Sequence, residues 1–253
     1  MEERFEKADL VSDDPDNVQT PLRHDAMPLM TLARRFKDVE SRDHQIDGKK
    51  LAFSILEKSI PCFTPGARVA TPQGTRLVQD LKQGDLVQTR DNGIQAVVWS
   101  GTKTVSAASL TAKPDLRPVR IRAGALGHGM PACDMWVSPN HRLLVVSEMA
   151  ELYFAQSEVL VPAKHMTQRD GIDIVDVPEM TYVHIMFEKH EVVLADGAWS
   201  ESFQPGDETL KSVDAAQRHE ILTIFPEWGT DAGLDGYRAA RRILQRDEYA
   251  LLI

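Results

Sequence analysis

Residues 62–78 read Cys62-Phe63-Thr64-Pro65-Gly66-Ala67-Arg68-Val69-Ala70-Thr71-Pro72-Gln73-Gly74-Thr75-Arg76-Leu77-Val78. Two short runs of strand-like character, 68–71 and 75–78, flank Pro72-Gln73-Gly74, where proline and glycine mark a turn. Downstream the pattern repeats. Gln83-Gly84-Asp85 introduces Leu86–Thr89, and Asp91-Asn92-Gly93 introduces Ile94–Trp99. An Asn-Gly pair between apolar runs signals a hairpin, because both residues tolerate the positive φ angles of a type I′ turn. Further strand-like runs follow at 119–122, 143–146, 159–161, 182–187 and 191–194. Many short strands with close turns predict a mostly β domain.

The flanks differ in character. Residues 1–25 are polar and acidic, with Asp13-Asp14-Pro15-Asp16 at their centre, and are expected to be disordered or loosely attached. Leu29, Leu32, Ala33 and Phe36 recur at helical spacing and predict a short amphipathic helix over 28–39. The apolar stretch 51–56 fits either helix or strand, and Ile60-Pro61 ends it. Beyond Phe203, Ile221–Phe225 is apolar, and 237–252 reads as a charged helix carrying Ala240, Ile243, Leu244 and Leu251 along one side. The expected organisation is therefore an N-terminal flank (1–61), a β domain (62–203) and a partly helical C-terminal extension (204–253).

Composition narrows the function. The chain has 253 residues, 42% hydrophobic and 26% charged, with a formal charge of −9. A net negative surface argues against nucleic acid as a partner, since phosphate binding wants surplus Lys and Arg. The short basic pairs Arg34-Arg35 and Arg241-Arg242 are flanked by acids and read as solvated helix faces. No uncharged apolar run approaches membrane-spanning length, and the acidic start Met1-Glu2-Glu3-Arg4 lacks the features of a signal peptide, so a chain without membrane contact is expected, cytoplasmic or else exported by a non-classical route. Two cysteines, Cys62 and Cys133, are too few for a disulfide framework or a thiolate cluster.

Three groups of residues carry chemistry. Cys62 opens the β region. A solitary cysteine is most often a small buried apolar residue, and its company is what argues for reactivity. Ser138-Pro139-Asn140-His141 lies between apolar runs, where a hydroxyl three residues ahead of an imidazole lets both reach one carbonyl and give a proton to a departing nitrogen. The plainer reading of His141 is an exposed turn histidine. The third group runs from His184 to His190. If this segment is a hairpin, both histidines lie near its turn or on one face. A metal site from His141, His184 and His190 is imaginable, but no zinc-type spacing such as His-Glu-x-x-His is present, and neither a metal nor a cofactor is expected. A phosphate-cradling Gly-rich loop and a Gly-x-Ser-x-Gly elbow are also missing.

The ordered blocks resemble the Hint (Hedgehog/intein) domain family. Cys62–Thr71 is similar to its opening block, and Gly74–Val87 to the segment that follows in inteins. Val137-Ser138-Pro139-Asn140-His141 resembles the Thr-x-x-His block with serine for threonine, and Tyr182 through Gly197 the penultimate block. Bacterial Hint-containing proteins in which Pro-Cys-Phe-Thr-Pro-Gly precedes these elements are the nearest likeness. The resemblance implies a horseshoe-like all-β fold and an N-to-S acyl shift. The Cys62 thiol would attack the Pro61 carbonyl, His141 would protonate the Cys62 nitrogen, and Ser138 would orient the same bond. His190 and His184 would assist proton movement. The substrate would be the chain's own N-terminal flank.

The sequence departs from inteins in three ways. Gly197-Ala198-Trp199-Ser200-Glu201-Ser202 stands where inteins end in His-Asn, so cleavage without splicing is implied. Pro61 is a crowded acyl donor. About fifty residues follow the domain. The alternatives are an unreactive Hint-fold binding module, a thiol hydrolase acting in trans through Cys62 and His141, and a metal-binding β protein.

Overall fold

The computed structural model describes residues 60–205, 213–229 and 237–253. The expected helix over 28–39, the stretch 51–56 and the acidic segment 1–25 lie outside the described residues.

The opening stretch folds as read. Strands β1 (Arg68–Thr71) and β2 (Gly74–Leu77) pair antiparallel with Thr71 opposite Gly74. The turn between them is held by Thr71, whose hydroxyl donates to the Gly74 carbonyl at 2.6 Å and accepts from the Gln73 N–H. Strands β3 (Leu86–Gln88) and β4 (Ile94–Ala96) form the second hairpin. Its turn is not type I′, because Gly93 has a φ of +65° while Asn92 does not share the left-handed region. The Asn92 amide instead donates to both carboxylate oxygens of Glu191, at 2.8 and 3.0 Å. The type I′ pattern occurs elsewhere, at Asp196-Gly197 (φ 51° and 79°), which joins β12 (Val192–Ala195) to β13 (Ala198–Glu201).

The remaining elements are β5 (Trp99–Val105), α1 (Ala107–Ala112), β6 (Val119–Ile121), β7 (Met135–Val137), β8 (Arg142–Val146), α2 (Glu148–Phe154), β9 (Glu158–Pro162), β10 (Ile172–Ile174), β11 (Met180–Met186), α3 (Ala215–Ile224), β14 (Arg242–Ile243) and α4 (Arg246–Tyr249). A seven-stranded sheet runs β14-β9-β8-β13-β12-β1-β2, and smaller sheets are β10-β6-β7, β11-β5 and β3-β4. The fold is thus mostly β, as expected. Among the described residues no helix is long and apolar enough to cross a membrane.

Two expectations are corrected. The segment His184–His190 is not a hairpin turn, because β11 pairs with β5, whereas β12 pairs with β13 and β1. Nor do residues 237–252 form one helix. Arg242-Ile243 joins β9 as a parallel edge strand, the Leu244 N–H donates to the Leu160 carbonyl, and helix begins only at Arg246. Partners outside the segment decide this. Arg241 reaches Asp91 and Glu158, Leu244 is fully buried, and Gln245 with Glu248 forms a capping box that starts α4 at that point. These long-range contacts outweigh the weak local preference for helix.

Phe63 links the smaller sheets. It bridges Val137 at the end of β7 and Val183 in β11, exchanging 2.9 and 3.0 Å hydrogen bonds with the latter. Cys62 is thereby inserted between Ser138 and the β11 residues that follow Val183. The main core gathers Phe63, Val69, Val137, Leu143, Ile185 and Val193. A second cluster contains Cys62 itself, with Trp99, Met186, Phe203, Ile221 and Trp228. Burying each large apolar side chain contributes roughly 1.5–3 kcal/mol.

Candidate functional site

Cys62 is 3% exposed, and its hydrogen bonds define the site. Its backbone N–H donates to Ser138 Oγ at 2.9 Å, and the Ser138 hydroxyl donates onward to the Ile60 carbonyl at 2.6 Å. The Ser138 N–H in turn donates to the Cys62 carbonyl at 3.0 Å. The Pro61–Cys62 peptide is therefore clamped from one side by Ser138, through side chain and backbone. The Cys62 thiol donates to the Ile60 carbonyl at 3.0 Å and lies 3.6 Å from His184 Nε2. Burial pushes the Cys62 thiol well above its ordinary value, and the nearby Ser138 hydroxyl only partly opposes this. The resting sulfur is a protonated thiol.

His184 comes from β11, opposite Gly101 of β5. Its ring is stacked 6.1 Å from Trp99 and packed edge-on against Phe203 at 5.3 Å. Burial lowers its pKa to about 4, opposed by a hydrogen bond to the Pro61 carbonyl that favours the charged form. The imidazole is neutral at pH 7 and adjoins both the sulfur and the carbonyl of the Pro61–Cys62 bond.

His141 is 1% exposed, so it is not an exposed turn histidine. Its N–H donates to the Ser138 carbonyl at 3.0 Å, and its ring sits edge-on to Phe63 at 4.4 Å. Neither ring nitrogen has a hydrogen-bond partner, and burial lowers its pKa to about 4. In this state Ser138, not His141, occupies the Cys62 nitrogen. A fully buried imidazole with both nitrogens unpaired carries a desolvation cost that packing alone does not explain.

His190 stands apart from the thiol. Its Nδ1 accepts the Ala240 N–H at 2.9 Å, and its Nε2 lies 3.2 Å from both Glu201 Oε2 and the Ser202 carbonyl. The proton is therefore on Nε2, directed at Glu201. Glu201 is fully buried and also accepts from the Arg142 N–H (2.7 Å) and guanidinium (2.8 Å). Although burial alone raises its pKa, Arg142 and His190 hold it below the ordinary carboxylate value. The structure thus brings Cys62, Ser138 and His184 together, packs the His141 ring against Phe63, the residue after Cys62, and places His190 in a separate hydrogen-bond network with Glu201.

Sequence reasoning missed Trp99 and Phe203, which wall the His184 ring, and Glu201. Trp99 ends a run already read as strand-like. Glu201 carried no local signal, because its partner Arg142 lies 59 positions away. Cys133 is exposed, and both cysteines are free. Among the described residues no three His, Cys, Asp or Glu side chains are grouped to hold a metal ion.

The two depressed histidines predict acid lability. Unfolded histidine titrates near 6.5 and both folded ones near 4, so in this window the unfolded chain binds more protons. Stability is full above pH ~6.5 and is lost as pH falls toward 4, by up to about 3 kcal/mol per histidine. Buried Glu191 and Asp196, whose values are raised, offset part of the loss. Urea midpoints at pH 7 and 4.5 check this; equal midpoints would contradict it.

The Hint domain family model matches residues 61–207, more than half of the chain. Inteins and intein-like domains are among the solved structures the chain is similar to. An intein-like domain from Clostridium thermocellum is 12% identical, covering 57% of this chain and 99% of that one, with a TM-score of 0.36. The gp41-1 intein is 13% identical, with coverages of 55% and 96% and a TM-score of 0.34. A DnaB intein from Synechocystis is 11% identical, with coverages of 56% and 97% and a TM-score of 0.33. No curated protein matches.

Proposed function

The chain belongs to the Hint domain family, and we propose that it is an intein-like self-processing domain that cleaves its own backbone at Pro61–Cys62. The observation that carries this reading is the double contact on that bond, with Ser138 Oγ on the Cys62 nitrogen and His184 beside the sulfur.

The thiol proton passes to the His184 imidazole as Sγ bonds to the Pro61 carbonyl carbon. The tetrahedral centre then collapses, the C–N bond breaks, and the Cys62 nitrogen takes up a proton. The net result is a Pro61 thioester on Cys62 Sγ and a free amine, with one proton moved from sulfur to nitrogen. Ser138, an acceptor from the N–H at rest, turns donor as the nitrogen gains basicity, and the proton that His184 took from sulfur is returned to this nitrogen directly or by way of His141, so both histidines end neutral as they began. His190 positions the Glu201 end of β13 rather than touching the reacting atoms. Water or another nucleophile then releases the N-terminal flank. A neutral His184 with a pKa of about 4 is a weak base for a thiol whose own pKa is raised, so a slow reaction is expected.

The test is intact mass of the purified full chain in neutral hydroxylamine, with Cys62→Ala beside it. Cleavage between residues 61 and 62 in the parent alone is expected. An uncut parent, or a mutant cut equally, would overturn the proposal; the uncut parent would favour an unreactive binding module.

A further inference from the structure

The second apolar cluster contains more than the reacting cysteine needs. Helix α3 and the residues flanking it supply Val213, Ile221 and Trp228, all buried against the group that holds Cys62, Trp99 and Phe203. Asp214 caps the helix by accepting the Gln217 N–H at 2.9 Å. Two polar contacts fasten it over β5. Glu220 accepts the Trp99 indole N–H at 3.1 Å, and the Gln217 amide donates to the Thr102 carbonyl at 2.7 Å. Trp228 stacks on Phe225 at 3.9 Å and meets Tyr237 edge-on at 4.9 Å.

Gly101, directly across from His184, lets this cover lie close. A Cβ there would fall 2.4 Å from the Trp99 ring and 3.2 Å from Gln217 Nε2. The indole is folded flat over Gly101, with His184 on one side and α3 gripping its N–H. The same ring thus touches the reacting imidazole and the covering helix.

We propose that residues 213–228 are a cap that shuts the Cys62 site to water and small nucleophiles and must lift before an acyl group on Cys62 can be released. The idea rests on the reading of Cys62 as nucleophile, but its test does not depend on the acyl shift. A cap held by three buried apolar side chains (Val213, Ile221 and Trp228) and two hydrogen bonds opens at lower cost than the whole fold unfolds. Cys62 reactivity then tracks the fraction of open cap.

The experiment follows iodoacetamide alkylation of Cys62 by intact mass in the full chain carrying Cys133→Ser. In the parent, Cys62 is expected to react about a hundredfold or more slower than in urea, since its site is covered. Removing the surface fastenings (Gln217→Ala with Glu220→Ala) should speed native alkylation about three- to tenfold. Ile221→Ala should speed it about thirtyfold or more. Leu244→Ala, a comparable deletion in the other core cluster, should leave it unchanged. Equal acceleration by Leu244→Ala would mean that global unfolding exposes the thiol, and would overturn the cap. So would an unaltered rate in the surface double variant, which keeps every core residue. If alkylation follows the predicted order while hydroxylamine never cuts any variant, the cap stands and the acyl shift falls.

Discussion

Ser138→Ala is expected to slow cleavage at Pro61–Cys62 about a hundredfold or more, since it removes a positioned proton-transfer group. The hydroxyl is the sole side-chain contact of the Cys62 nitrogen among the described hydrogen bonds, and it also donates to the Ile60 carbonyl. Alanine leaves the buried Cys62 N–H unpaired, which should also destabilise the fold by about 1–3 kcal/mol. Ser138→Thr keeps the hydroxyl and should recover most of the rate. Cleavage half-lives in hydroxylamine, compared at matched stability, separate the two effects. A Ser138→Ala chain that cuts at the parental rate would remove Ser138 from the mechanism.

The largest stability effect is expected at Glu201. Its carboxylate is fully buried and joins the Arg142 N–H and guanidinium to the His190 ring, whose other nitrogen takes the Ala240 N–H. Glu201→Ala leaves Arg142 and His190 facing a void and should cost about 3–5 kcal/mol, as for other broken buried pairs. Glu201→Gln keeps the shape and should cost less. Urea unfolding measures both; a loss under about 1 kcal/mol for alanine would show that the network is not structural. Because Ala240 belongs to the C-terminal region, the same variant should loosen residues 237–243 and raise their amide exchange.

The β character of the domain was legible because its signals are local. Turn residues at 72–74 and 91–93 sit between apolar runs, and each gave the hairpin read from it. Local chemistry failed where distant partners decide the outcome. Asn92 looked like half of a type I′ turn, yet its amide is committed to Glu191, 99 positions on. Residues 237–252 have helix-forming composition, yet β9 takes two of them as a strand. At the site, Cys62, Ser138 and His141 could be read from their order along the chain. His184 and His190 could not be told apart by sequence, because their separation depends on β11 turning to β5 while β12 turns to β13. The cover over Cys62 had no sequence signature beyond the apolar run Ile221–Phe225, of which only Ile221 is fully buried.

The most direct test of the central claim is to trap the acyl group on its donor. The full chain, incubated with excess free cysteine, should release a fragment ending at Pro61 and carrying one added cysteine in amide linkage, identified by tandem mass spectrometry. The companion fragment should begin at Cys62, and Cys62→Ala should give neither. A parent chain that stays whole, or that is cut at another bond, would contradict an acyl shift through Cys62.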